Sequence, residues 1–430
     1  MIFVQFVDNS CYDVIVIGAG QAGLATSYFL KKSNLEHLVL EKGSIGESWR
    51  SQRWDSFTLK TPNTLNVLPG SNPVGKYPDG FCARDELVGS YENYVHKFDL
   101  PVILGAKVTL VEKSKDSDEF FVHILKDSTE QKFRARSVVI ASGIMHFPKI
   151  PQFSKNISNA FIQIHAGNYR NPSEIPQGAI VVVGGGRSGC QIVEDLLSAD
   201  RKVYLCTSKV GRIPRRYRGR DIDYWYADSG FLDVTVDELD DKSIISENQP
   251  QISGVGRYGH TVSLQKLQKE GVTLLGRLEN IENDILILKD NLGENIRYAD
   301  QKSNETKRSI DEYVLHSGIT TEKSEDDPAD ITWPEKDFPV SPTSLNLTEA
   351  GVSTIIWCTG FKTDFSWIDL PVLDESGFPV HKRGVSSIPG IYFVGFPWLY
   401  KRKSGLICGV KEDTKYISKK IIDRLNNESK

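Results

Sequence analysis

Two short glycine runs are where this chain can do chemistry. Gly18-Ala19-Gly20-Gln21-Ala22-Gly23 and Gly184-Gly185-Gly186-Arg187-Ser188-Gly189 share the spacing G-x-G-x-x-G. Each comes after a β-branched apolar run, Tyr12 to Ile17 or Ala179 to Val183, and each precedes a stretch of helical composition, Leu24 to Lys32 or Cys190 to Leu197. In that setting the first glycine permits a tight turn, the second lets backbone amides approach a pyrophosphate, and the third lets helix and strand pack closely. The helix start then faces the anion. Two such units predict two bound dinucleotides.

The residues downstream of each run assign the nucleotide. After the first comes the apolar strand His37 to Leu40 and then Glu41, with Lys42 counted in the same site. A carboxylate there accepts hydrogen bonds from both ribose hydroxyls of an adenosine, so the first site is expected to take FAD. At the matching offset after Gly189 stands Thr207. Thr207 and Ser208 carry no charge to repel a 2′-phosphate, and Lys209, Arg212 and Arg215 offer it a positive pocket. NADPH is therefore expected over NADH.

The elements that must position these runs repeat the same theme. Ser137 to Gly143 and Thr354 to Gly360 are apolar strands ending in small-residue turns, placing Ala141, Ser142 and Gly143, and Thr359, Gly360 and Phe361, close to a cofactor. Pro389 to Gly395 is another strand closing on glycine, and Leu406 opens the last helical segment, whose start can point amides at a flavin ring. Their order predicts an α/β protein with two Rossmann-like dinucleotide-binding domains, the NADPH domain inserted into the FAD domain. Proline-rich segments at 171–176 and 339–343 place the boundaries, giving 1–172 and 344–430 to the FAD domain and 173–343 to the NADPH domain. Residues 300–330 are polar, with helical spacing at Ile310, Tyr313 and Val314, and read as a surface excursion without chemistry.

Composition narrows the partners. With 430 residues, 39% hydrophobic, 25% charged and a net charge of -4, the chain has the make-up of a globular protein without the positive field that nucleic acid requires. Its six cysteines include no C-x-x-C pair, so no metal site and no redox disulfide is expected, and most are placed as buried, inert thiols. No apolar run approaches the ~20 residues of a membrane span. The segment Met1 to Val7 is short and lacks a basic leader, which points to a cytoplasmic enzyme acting on a small molecule.

These motifs together resemble the flavin-containing monooxygenases, and within them a bacterial-type branch of flavoproteins linked to cation transport. The resemblance rests on Asp13 to Gly23, Ile45 to Arg50, Thr61 to Thr64, Tyr77 to Glu86, the second glycine run, Trp357 to Phe361 and the final glycine strand. Of the family's linker hallmark F-x-G-x-x-x-H-x-x-x-[FYW], His165 and Tyr169 fit, while Asn159 and Phe161 replace the phenylalanine and glycine. The resemblance implies an NADPH-dependent FAD monooxygenase that passes one oxygen atom of dioxygen, through a C4a-peroxyflavin, to a small organic substrate by N- or S-oxygenation or a Baeyer-Villiger reaction.

It also implies residue roles. Asn63 matches the family's flavin-side asparagine and is the candidate catalytic residue. Trp49 and Arg50 match the segment beside the isoalloxazine, and Thr61 and Val108 are counted with the flavin contacts. His165 belongs to the passage toward NADPH, and His260, in a glycine-punctuated loop, faces either substrate or surface. The aromatic run Phe396 to Tyr400 suits a homo-oligomer interface or a flavin-side lid. Two other readings share the two-nucleotide plan: a quinone reductase or NADPH oxidase-like enzyme, and a nucleotide-sensing flavoprotein that regulates a transporter.

Overall fold

Consecutive β-branched residues need apolar cover on both faces, and a parallel sheet flanked by helices supplies it. In the computed structural model, residues 5–324 and 326–428 are described, with side chains from residue 11 onward. The first four residues of the apolar N-terminal segment lie outside them. The chain runs β1 (Gln5–Ile17), α1 (Gln21–Lys32), β2 (His37–Leu40), α2 (Arg84–Phe98), β3 (Val102–Ile103), β4 (Lys107–Lys113), β5 (Phe120–Lys126) and β6 (Thr129–Ile140). It continues as β7 (Ile162–His165), β8 (Ala179–Val183), α3 (Arg187–Leu197), β9 (Val203–Cys206), β10 (Thr273–Leu275), α4 (Leu292–Ser317), β11 (Val352–Trp357), β12 (Ile391–Phe393) and α5 (Ile407–Glu428).

Two sheets result. In the first, β1 lies between β2 and β6 in parallel, β3 adds beyond β2, β12 pairs in parallel with the end of β6, and β4 and β5 attach through antiparallel pairing. Val14, Ile15 and Val16 are fully buried at its centre. The second sheet has the order β10, β9, β8, β11, β7, all parallel. Val181 and Val182 are fully buried there, as are Ile355 and Ile356 of β11.

This pairing moves the expected boundaries. Residues 162–165 and 352–357 fall outside 173–343, yet β7 and β11 are strands of the second sheet. The second nucleotide unit therefore begins upstream of the prolines at 171–176 and ends downstream of those at 339–343. Prolines mark the loops on its surface, whereas strand pairing, invisible to composition, decides membership. β12 and α5 return to the first sheet, where α5 packs against α1.

The segment 300–330 is anchored rather than a free excursion. Asp300, Ser303 and Ile310 are buried, and the fully buried Arg212 joins Asp300 at 2.6 Å and Asp330 at 2.8 Å. Lys307 and Ser303 complete the shell of Asp330, at 2.8 and 2.6 Å. Among the described residues no helix is long and apolar enough to cross a membrane, and no cluster has the make-up of a metal site. Arg212→Ala leaves buried Asp300 without its cation and Asp330 with Lys307 alone, and is expected to cost about 3–5 kcal/mol of stability, read from the urea midpoint. An unchanged midpoint would show that the network carries no such strain.

Candidate dinucleotide-binding sites

The first glycine run turns directly off the buried end of β1. Gly18 has φ +109°, a conformation glycine adopts freely, and a Cβ there would stand 2.6 Å from the carbonyl oxygen of Ala141. A Cβ at Gly23 would overlap the carbonyl oxygen of Gly18, so only glycine lets α1 come this close to the strand. Gly20 caps α1 with no side-chain partner, and no acidic residue occupies the first turn. The positive end of the helix is thus left open to an anion.

That end faces a cavity of about 880 Å³. Gly18, Gly20, Gln21, Ala22, Glu41, Lys42, Trp49, Val108, Ala141, Ser142, Gly143 and Gly395 all line it. A Cβ on Gly20 would meet no protein atom within 4 Å, because it would project into this space. Glu41 is buried, its two oxygens accepting from the Ala19 N–H at 2.8 Å and the Gly43 N–H at 2.9 Å. Burial raises its pKa and those two donors oppose the rise. Trp49 Nε1 donates to Gln21 Oε1 at 3.0 Å and Gln21 Nε2 to the Gly405 carbonyl at 3.1 Å, which ties the helix start to the C-terminal segment. A glycine cradle, an open helix end and a buried carboxylate on one wall fit an adenine dinucleotide, and the volume is in the range of a ligand pocket.

The second run repeats this geometry. Gly184 has φ +116°, a Cβ there would stand 2.6 Å from the Cys358 carbonyl oxygen, and a Cβ at Gly189 would overlap the Gly184 carbonyl oxygen. Gly186 caps α3, again without a side-chain partner or an acid in the first turn. The turn after β6 and the turn after β11 are therefore counterparts, one against each glycine run. Gly185 lies beside Thr207 and Ser208 at the end of β9, and its carbonyl accepts from Gln251 Nε2 at 2.6 Å.

Comparison with known proteins agrees with this arrangement. Residues 15–226 match the pyridine nucleotide-disulphide oxidoreductase family. A CzcO-like oxidoreductase of Geobacillus kaustophilus is 33% identical over 416 residues, spanning 96% of this chain and 98% of that one. The chain belongs to the CzcO-like oxidoreductases. Its fold is that of flavin monooxygenases: a flavin-containing monooxygenase from Stenotrophomonas maltophilia superposes with a TM-score of 0.63 at 19% identity, over 97% of this chain and 99% of that one. OTEMO, solved with FAD and NADP, superposes with a TM-score of 0.59 at 12–13% identity, over 98% and 86–87% of the two chains.

Several expected contacts lie elsewhere. Asn63 is 1% exposed and outside the cavity wall, its Nδ2 donating to the Tyr77 carbonyl at 2.8 Å, so it braces a turn where the sequence suggested a catalytic group. Arg50 points outward to Glu92 at 2.6 Å. Thr61 and Leu406 are also absent from the wall, and Leu406 is 41% exposed. Thr359, Gly360 and Phe361 follow Cys358, which abuts the second run, and brace the linker: the Gly360 carbonyl accepts from His165 Nε2 at 2.8 Å, and the Phe361 ring centroid is 4.8 Å from that of His165.

The two hallmark residues are rivets. His165 accepts the Gly167 N–H on Nδ1 at 3.1 Å, burial lowers its pKa, and Tyr169 donates to Asp195 at 2.6 Å from a site 1% exposed. His260 pairs with Glu194 at 2.6 Å. Phe396, Trp398 and Leu399 are buried within the chain, and Pro397 lines the cavity.

The positive pocket also shrinks. Thr207 is 2% exposed, its hydroxyl donating to the Leu275 carbonyl at 2.7 Å and accepting from Asn295 at 2.9 Å. Arg215 is spent on Asp221 and on Asp223 at 2.8 Å, and Arg212 on the network already described. Ser208, Lys209 and Arg187 remain near the second turn with no acidic partner among the described residues. Sequence reasoning missed Arg53, His146 and Trp367, all on the cavity wall. Arg53 alone had a signal, three residues beyond Arg50 in the same aromatic segment.

Gly20→Val is expected to yield a folded but colourless protein, since its Cβ meets no protein atom and the side chain enters the cavity. The flavin absorbance of the purified variant checks this, and a fully yellow preparation would refute the placement.

Proposed function

We propose that this chain is an NADPH-dependent FAD monooxygenase that oxygenates a small organic molecule. The observation that carries the reading is the duplicated glycine turn, with buried Glu41 beside the first copy and uncharged Thr207 at the matched place in the second. OTEMO, which has the same fold, holds FAD and NADP together. When bound, FAD supplies the redox chemistry and the activation of dioxygen.

The chain's own residues bind, orient and exclude water. The open start of α1 receives the pyrophosphate and Glu41 the ribose hydroxyls. Ile17, Ile144, Met145, Trp49 and Trp367 supply apolar wall, which keeps water from the reacting region. His146 lines the same cavity and accepts the Asp364 N–H on Nδ1 at 2.8 Å. Burial lowers its pKa, so near neutrality the ring is uncharged and carries its proton on Nε2. Backbone groups of Asp364, Gly143 and Ser142 hold the ring in place.

Oxygenation is tested by following NADPH oxidation and hydrogen peroxide release together across amines, sulfides and ketones. The expected result is that a true substrate lowers peroxide below the NADPH consumed, the balance appearing as oxygenated product. Peroxide equal to NADPH in every case would leave an oxidase, and turnover only with quinones would leave a reductase. Cofactor choice has its own test. Lys209, exposed and 4.7 Å from the Tyr298 ring centroid, is a cation beside the end of β9 with no acidic partner among the described residues. Lys209→Ala is expected to lower the NADPH over NADH ratio of kcat/KM by roughly tenfold; an unchanged ratio would place the 2′-phosphate elsewhere.

A further inference from the structure

The segment Gln52 to Lys60 runs from the first cavity to α3 of the second unit, and it carries positive charge that the protein leaves unneutralised. Lys60 Nζ lies 4.1 Å from the Phe57 ring centroid and 5.8 Å from that of Trp54, and its hydrogen bond, to the Thr58 carbonyl, is long at 3.3 Å. The Arg53 guanidinium stacks 5.1 Å from the Trp49 ring and 5.4 Å from that of Phe57, donates to the Gln52 carbonyl at 2.8 Å and to Met145 Sδ at 3.5 Å, and lines the flavin-site cavity. Arg187, at the start of α3, donates through Nε to the Pro250 carbonyl at 2.8 Å. Among the described residues none of the three forms an ion pair with a carboxylate. All three keep some exposed surface although protein surrounds them closely, which is how side chains facing an internal recess behave.

The crowding of charge falls on Lys60. Burial, then Arg187 and then Arg53, push the Lys60 pKa well down, with Glu194 alone opposing. Glu194 is already engaged, one oxygen accepting from His260 at 2.6 Å. Arg215, near Arg187, is neutralised by Asp221 and Asp223. In the same segment Thr58 Oγ1 is buried without any hydrogen-bond partner, a hydroxyl donor with nothing to donate to. Arg53 faces no carboxylate, Lys60 only the engaged Glu194 and Arg187 only Asp223, which already pairs with Arg215; such a cluster is costly in a protein interior, and a visiting anion relieves it.

We propose that Lys60, Arg53 and Arg187 form an anion-recognition site that takes the carboxylate of a small organic acid and anchors it as substrate beside the flavin cavity. The role as substrate anchor rests on the monooxygenase reading; the anion site itself does not. Two features favour a carboxylate over the second dinucleotide's pyrophosphate. The open start of α3 and its glycine turn already serve a pyrophosphate, and Arg53 reaches into the wall of the other site. Trp49, Trp54 and Phe57 give the recess an aromatic side suited to an apolar body behind the acid group.

The test uses the full-length, FAD-loaded protein with benzoate and its neutral counterpart benzamide as probes, measured by calorimetry in the wild type, Lys60→Met and Lys60→Arg. The wild type is expected to bind benzoate roughly tenfold or more tightly than benzamide, Lys60→Met to lose that preference, and Lys60→Arg to keep it. Lys60→Met removes a desolvated charge from an aromatic bed, so its thermal midpoint without ligand is expected to hold or rise, and its NADP⁺ affinity to stay within about twofold. Equal affinity of the wild type for the two probes, or no benzoate binding, overturns the proposal. So does a Lys60→Met protein that loses NADP⁺ and keeps benzoate, which would give the cluster to the dinucleotide's phosphates. Selective benzoate binding without oxygenated product from any organic acid would sink the monooxygenase reading and leave the anion site standing.

Discussion

A helix cannot approach the strand before it closely enough to aim its amides at a pyrophosphate unless a side chain is missing at the contact. In this protein that requirement is met twice in the same way, Gly23 against the Gly18 carbonyl and Gly189 against that of Gly184. Each turn is closed from the far side by a neighbouring strand, through Ala141 in one unit and Cys358 in the other. Everything else about the two sites depends on that contact. It fixes where the helix starts, leaves the first turn uncapped, and puts the end of the next strand beside the glycine turn.

From this shared frame the two sites diverge in what surrounds them. The first opens on a large cavity closed by the C-terminal segment, with Gly395 and Pro397 in its wall and Gln21 tying the helix start to Gly405. The second is packed around by long-range polar contacts, with Gln251, Asn295 and the Arg212 network holding the strand ends in place. Between them the Gln52 to Lys60 segment and the linker rivets His165 and Tyr169 span the two sheets. That span is where two cofactors and a substrate would meet, and it is where the unpaired cations collect.

Local features were legible in the sequence because they are local. Glycine spacing, the β-branched strands before it and Glu41 after it need no knowledge of distant residues, and Ile17, Gly18, Gly20 and Glu41 stand on one cavity wall. The features that were not legible depend on partners far along the chain. Arg212 and Arg215 read as a phosphate pocket, but Asp300, Asp330, Asp221 and Asp223 consume their charge. Thr207 stands at the end of β9 and turns its hydroxyl inward because Leu275 and Asn295 satisfy it there. β11 read as part of the first unit because prolines precede it, while its pairing with β8 and β7 places it in the second sheet. Asn63 lies in a matched motif, yet Tyr77 folds back to hold it away from the cavity wall.

The central claim is that one chain holds two dinucleotides at separate and structurally equivalent turns. The direct measurement is binding stoichiometry on the purified protein: FAD content per chain, and then equilibrium titration of the FAD-loaded protein with NADP⁺. The account predicts one FAD per chain and one further NADP⁺ that binds without displacing it. Displacement of FAD by NADP⁺, or a single nucleotide per chain at saturation, would contradict it.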